Sequence, residues 1–174
     1  MGDIFIKAMT MQDWPLYKNM RIHALSMHSN YFLSDEKEAQ AYPDERWQEP
    51  INHPYKEVFG LFDNKTMIGI TGIFQLLDED PSGETAVMAM SFIEPEYRGQ
   101  GYSKLFYDAR IQWALEKPLL KKLTTAHRSG NEASKKAILA NGFKPIGTDI
   151  IRFGNGEEDT EYIYELDLEK MRGN

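Results

Sequence analysis

Cysteine is absent from the chain, and with it every disulfide, thiolate nucleophile and zinc–thiolate site. No run of about 18 apolar residues occurs, which excludes an ordinary membrane-spanning helix. Basic residues are in deficit: 20 Lys and Arg stand against 27 Asp and Glu, a formal net charge of −7. A nucleic-acid partner would need a basic face, so none is expected. The four histidines show no metal-ligand spacing, and no metal is expected. Neither an internal repeat nor a Gly/Ser/Pro-rich linker divides the chain, and 174 residues suffice for one full core, so a single domain over 1–174 is expected. The first residues, from Met1 to Lys7, are too polar for a secretory leader, and Gly2 is followed by Ile6 where a myristoylation signal prefers Ser or Thr. The cytoplasm is the expected compartment.

What the chain does have is a glycine turn between a strand-like and a helix-like run. Residues 85–93 are apolar and uncharged, as a buried strand requires. After the turn, Tyr102, Leu105, Phe106, Ala109 and Trp113 recur at helical spacing up to the stop set by Pro118. Between them lies Glu94-Pro95-Glu96-Tyr97-Arg98-Gly99-Gln100-Gly101-Tyr102-Ser103-Lys104. A strand–glycine turn–helix unit aims successive backbone N–H groups at one point, and the helix dipole adds about half a positive charge there. That suits a pyrophosphate. The P-loop string occurs nowhere in the chain, and the dinucleotide fingerprint would need glycine where Lys104 stands.

A second signal lies at a fixed distance beyond the first. Residues 121–126 read as a short strand, Ser129 or Asn131 can cap a helix, and Gly142 supplies the left-handed residue past its end. Together the two stretches resemble the GNAT superfamily of acetyl-CoA-dependent N-acetyltransferases. That family carries Arg/Gln-x-x-Gly-x-Gly/Ala, often after Pro-x-Tyr, and then Asn-x-x-Ala/Ser with a later Gly-Phe. Pro95, Tyr97, Arg98, Gly101, Asn131, Ser134, Gly142 and Phe143 match, and Ser103 replaces the last small residue.

The resemblance implies an α+β GNAT fold: a mixed, mostly antiparallel sheet of about seven strands in the order β-α-α-β-β-β-α-β-α-β-β. The chain reads compatibly. Residues 4–8 alternate as a first strand, Thr10 and Asp13 form a capping signal, and Trp14, Tyr17, Arg21, Ala24 and Leu25 trace one face of a helix to about Ser29. Polar segments 34–40 and 44–48 suggest one or two further helices, anchored by Tyr31, Phe32, Tyr42 and Trp47. Residues 58–62 and 67–74 flank a turn at Asp63-Asn64-Lys65, and 146–153 pairs with 162–168 across Gly154-Asn155-Gly156.

It also implies a function: transfer of acetyl from acetyl-CoA, as co-substrate, to a primary amine by direct attack, without a covalent enzyme intermediate. Ser91, Phe92 and Ile93 would pair with pantetheine. Arg98, Gly99, Gln100, Gly101, Tyr102, Ser103 and Lys104 would hold the pyrophosphate, and Asn131 and Ser134 would lie against the coenzyme arm. A plain helix cap explains Asn131 equally well. Many relatives place a tyrosine acid seven residues after the motif Asn and a glutamate base five before it; here those positions are Ile138 and Ala126. His127, beside the vacant glutamate position, and Glu94 are the substitutes the sequence offers. Tyr31, Tyr97 and Tyr102 are hydroxyl candidates. The acceptor has no readable motif. The acidic stretches 78–84 and 157–161 favour a small cationic amine over a protein N-terminus or lysine, and a monomer and a homodimer are both compatible. The alternative is a non-catalytic acyl-CoA sensor on the same fold.

Overall fold

The computed structural model describes residues 2–173, so the outermost residue at each end of the expected 1–174 unit lies outside it. One seven-stranded sheet runs through the molecule in the order β1-β2-β3-β4-β5-β7-β6. Its strands are β1 (Ile4–Ala8), β2 (Lys56–Asp63), β3 (Thr66–Gln75), β4 (Thr85–Ile93), β5 (Lys122–Arg128), β6 (Lys144–Arg152) and β7 (Glu158–Asp167). Every neighbouring pair is antiparallel except β4 and β5. The α-helices are α1 (Trp14–Met27), α2 (Glu36–Gln40), α3 (Asp44–Gln48), α4 (Ser103–Leu115), α5 (Glu132–Ala140) and α6 (Leu168–Met171). The expected α+β order is present, with both polar segments helical and a short sixth helix that the sequence pattern did not announce.

The helices cover opposite faces of the sheet. Tyr17, Ala24, Leu25, Ala39 and Trp47 from α1–α3 pack on Val58, Phe62, Ile70 and Phe92. Tyr107, Ile111, Trp113, Ala114 and Ile138 from α4 and α5 pack on Phe59, Ile73, Met88, Leu123, Tyr164 and Leu166. At the start of α1 the expected capping pair is inverted. The Asp13 carboxylate accepts from the Thr10 N–H and hydroxyl, both at 2.8 Å, so the acid serves the turn instead of the threonine capping the helix.

Two irregularities shape the middle of the sheet. Ile70 pairs with Phe92 but Gly72 pairs with Ala89, so two residues of β4, Met90 and Ser91, oppose Thr71 alone. This is a β-bulge, and Met90 takes a left-handed φ of 64° to make it. The bulge flips the strand's alternation: Met88 faces α4 and α5, whereas Met90 and Phe92 face α1. Already before it, beyond Val87, β4 parts from its parallel neighbour. The two strands pair only at Thr85–Lys122, Ala86–Leu123 and Val87–Thr124. Thr125 Oγ1 then donates to the Met88 carbonyl at 3.3 Å, and the remaining edges diverge as a wedge.

Candidate functional site

The wedge opens at the carboxyl ends of two parallel strands, where a sheet leaves backbone groups unpaired and helices begin. After β4 the chain makes a 3-10 turn over Pro95–Tyr97. Tyr97 anchors it by donating its hydroxyl to Asp63 Oδ2 at 2.6 Å. Gly99 and Gly101 come next, with φ of 74° and 84°, and no heavy atom lies within 4 Å of where a Cβ would stand on either. Only glycine takes such angles freely. Among the described residues, the N–H groups of Gly99, Gln100, Gly101 and Tyr102 donate to no protein acceptor. Four free donors at the mouth of the 13-residue helix α4 form a cradle of the right charge for a pyrophosphate.

The side chains of the loop are largely engaged. Arg98 turns back from the cradle: its Nε donates to the Ile93 carbonyl at 2.7 Å, and Nη2 lies 3.0 Å from His28 Nε2. Arg98 thereby ties the end of α1 to the end of β4. Partial burial, and then the Arg98 charge, hold the His28 pKa below its ordinary value. Lys104 is paired with Asp108 at 2.9 Å, and Tyr102 donates to Gln100 Oε1 at 3.2 Å. The backbone is what the loop offers.

Inside the wedge, the Ser91 hydroxyl meets Thr71 Oγ1 at 2.8 Å and accepts from Arg110 Nη1 at 3.2 Å. Arg110 is 2% exposed, and burial pulls its pKa down to about 10. Among the described residues no carboxylate faces it; the Phe106 carbonyl and the Tyr107 ring complete its surroundings. Phe92 and Ile93 continue along the open edge. Across the wedge, at the end of β5, Asn131 Oδ1 accepts from the Ser134 N–H at 3.3 Å and caps α5. The loop at 98–104 and Ser91–Ile93 thus share the end of β4, with Asn131 and Ser134 facing them from the end of β5.

The acid–base candidates are placed differently. Strand β5 runs two residues beyond the expected 121–126 and includes His127. Alternation puts His127 on the α5 side with Leu123 and Thr125, while Ala126 and Arg128 take the α1 side. His127 is 7% exposed and lies between the Tyr162 and Tyr164 rings at 5.4 Å each. Its Nδ1 donates to the Arg128 carbonyl and its Nε2 accepts from the Tyr164 hydroxyl, both at 2.8 Å. Glu94 does reach the α1 side, where His23 Nε2 meets its Oε1 at 2.8 Å. Tyr31 stacks on His28, exposed. Ile138, at the usual tyrosine position, is sealed in the core at 1% exposure.

Residues 28–35 and the β6–β7 hairpin close over the α1 side of the wedge. Arg128 joins them, donating from Nη1 to the Asn30 carbonyl at 2.7 Å and from Nε to Asp159 Oδ2 at 2.9 Å. The Gly154 N–H donates to the Phe32 carbonyl at 2.7 Å, so close that a Cβ on Gly154 would strike Ser34. Opposite Arg128 in register sits Glu161, half-buried, its pKa raised by burial and by the Asp149 charge beside it. Sequence reasoning missed Arg110, Arg128 and Glu161. The available signals were an arginine on the apolar face of α4 and an acid alternating against Tyr162 and Tyr164.

A family model described as an acetyltransferase (GNAT) domain matches residues 3–144. Among solved structures, the ribosomal-protein-S5-alanine acetyltransferase of Vibrio fischeri is 15% identical with a TM-score of 0.77, over 94% of this chain and 92% of that one. RimL, a ribosomal L7/L12 alpha-N-protein acetyltransferase solved with coenzyme A, is 14% identical with a TM-score of 0.75, over 94% and 93%. Spermidine N-acetyltransferase of Vibrio cholerae, solved with CoA and spermine, is 16% identical with a TM-score of 0.72, over 96% of both chains. No curated protein sequence matches the chain.

Proposed function

Because the chain belongs to the GNAT acetyltransferase family, we propose that it moves an acetyl group from acetyl-CoA to a primary amine by direct attack in a ternary complex. The observation that carries this reading is the open cradle of Gly99, Gln100, Gly101 and Tyr102 N–H groups at the end of β4, beside the wedge. The cradle fits the coenzyme's pyrophosphate through its backbone donors and the positive end of the α4 dipole. The open edge from Ser91 to Ile93 would hold the pantetheine arm, with Asn131 and Ser134 facing it across the wedge. Bound there, acetyl-CoA supplies a thioester carbonyl; attack forms the C–N bond, breaks the C–S bond and releases CoA thiolate.

The acceptor enters from the α1 side, between residues 28–35 and the β6–β7 hairpin. An alkylammonium has a pKa of about 10 and must lose a proton before or during attack. His127 has both ring nitrogens engaged on the far face, and Glu94 is held by His23. Glu161 is the base we assign: half-buried on the acceptor side, with a raised pKa that makes it a better proton acceptor than a surface carboxylate. Oxyanion charge would fall on the backbone N–H groups of the bulged stretch of β4, braced through Ser91 by Arg110.

Calorimetric titration with acetyl-CoA, followed by a CoA-release screen over amines, tests the proposal. Micromolar binding with turnover is the expected result; no binding at millimolar coenzyme overturns it. The second reading, an acyl-CoA sensor, is favoured by Ile138 and Ala126 at the usual acid and base positions. It requires binding without turnover for every amine.

A further inference from the structure

Arg21 lies mid-way along α1 and is 7% exposed. Arg98, Arg110, Arg128 and Arg172 each donate to protein oxygens. The Arg21 side chain has no hydrogen bond or ion pair among the described residues, and its Nη1 is a fully buried donor without an acceptor. Its guanidinium lies over the Phe32 ring at 4.7 Å, with Tyr17 and Tyr42 nearby. Burial pulls its pKa down to about 10, which leaves it cationic at neutral pH. A second orphan donor belongs to the same cluster: Trp47 Nε1 is buried without a partner, and its ring meets Tyr17 at 5.5 Å and Tyr42 at 5.7 Å. A chain with 27 acidic side chains has left this buried cation unmatched. Buried donors without acceptors are costly, and a group that brings only acceptor oxygens satisfies them.

The position says what that group belongs to. Tyr17 is one helical turn before Arg21, and its hydroxyl donates to Sδ of Met90, the left-handed residue of the β4 bulge. Phe32, under the guanidinium, belongs to the segment that Gly154 and Arg128 fasten to the β6–β7 hairpin. Arg21 therefore stands on the acceptor side of the wedge, on the opposite wall from Glu161. We propose that Arg21 grips the carboxylate of the acceptor, so that the substrate is a small amine bearing a carboxylate, of amino-acid type. A planar guanidinium takes a carboxylate through two parallel bonds, while Glu161 takes the proton of the amine at the other end. A polyamine brings only positive charge to this wall. The inference rests on the acetyl-transfer reading above.

The test is a CoA-release assay with acetyl-CoA and three acceptor sets: free amino acids, the matching amino-acid amides, and polyamines. The wild-type enzyme should use at least one free amino acid with a KM about tenfold or more below that of its amide, because a site built around a charge-assisted bond rejects the analogue that lacks it. Arg21→Met should bring the two KM values within about twofold of each other. Arg21→Lys, which keeps the charge but loses the fork, covers the case in which the methionine variant does not fold; it should shrink the discrimination only in part. Equal use of acid and amide, or preference for polyamines, overturns the Arg21 assignment and leaves acetyl transfer standing. An unchanged acid-to-amide ratio in folded Arg21→Met does the same and makes Arg21 a structural cation. Absence of turnover with every amine, or of acetyl-CoA binding, overturns both.

Discussion

Arg128 donates to the carbonyl of Asn30 across 98 residues of chain, at 2.7 Å. The bond joins the end of a central strand to the loop after α1, and the same guanidinium holds Asp159 on the β6–β7 hairpin. The loop after α1 is thereby fixed against the β6–β7 hairpin. Arg128 also lies over the Phe153 ring at 4.7 Å, so its apolar stem and its charge are both used.

Arg128→Met should therefore loosen the acceptor mouth more than the coenzyme site. The expected result is a raised KM for the acceptor, with the acetyl-CoA dissociation constant changed less than about twofold, because sites without shared partners respond nearly independently. The same contact carries a pH signature. Its bond to Arg128 holds the Asp159 carboxyl below the ordinary value for aspartate. Stability from Asp159 is then fully present above the unfolded-state pKa, about 3.9, and drains away as pH falls through the lower folded-state value. Thermal melts of Asp159→Asn should show a flattened acid limb relative to wild type; superimposable limbs would remove the contact from the stability of the fold.

The cradle makes a sharper prediction. Gly101→Glu places a carboxylate among the free N–H groups, in open space, at the cost of about 1–2 kcal/mol for a left-handed non-glycine residue. The protein should fold and lose calorimetric binding of acetyl-CoA. A folded variant that binds normally would relocate the coenzyme.

How much of the fold and the site is legible in the sequence depends on the length scale of the signal. The strand at 85–93, the glycine turn, the helix from Ser103 and the Asn131 cap are local, written in contiguous residues, and they stand where the pattern puts them. The bulge at Met90 leaves no such mark, because methionine has no preference for a positive φ; it arises from the mismatch between β3 and β4. Arg98 reads as a phosphate ligand by motif, yet its side chain folds onto Ile93 and His28, a partner 70 residues away. For His127 the difference lies in where its strand stops. A strand that ends at Ala126 leaves it on a turn, whereas one that ends at Arg128 buries it between two tyrosines.

That burial can be tested directly. His127→Phe keeps a flat ring for the stack but removes the acceptor from the hydroxyl of Tyr164, a residue 3% exposed. Leaving a buried hydroxyl unpaired costs about 1–3 kcal/mol, so the melting temperature should fall. Turnover per folded molecule at saturating substrate should hold. A stable variant with turnover lost across pH 6–9 would return His127 to the chemistry as the base.

Glu161 supplies the opposing test, because its two expected effects have opposite signs. Its folded-state pKa lies above the ordinary glutamate value, with burial as the larger cause and Asp149 as the second. A group of this kind favours folding below the unfolded-state pKa, and that contribution is lost as pH rises through the folded-state value. Above its folded-state pKa the native protein thus holds an ionised carboxylate that burial and Asp149 disfavour. Glu161→Gln keeps the shape and removes the charge, so it should melt higher than wild type at pH 7, with the gap closing at and below the unfolded pKa of about 4.3. Its turnover should drop by about 100-fold or more, the usual scale for removal of a general base. The acid limb of the wild-type kcat/KM profile, rising as Glu161 deprotonates, should vanish with it. A variant that is both less stable and fully active would contradict each sign at once, and would leave the proton of the acceptor to water.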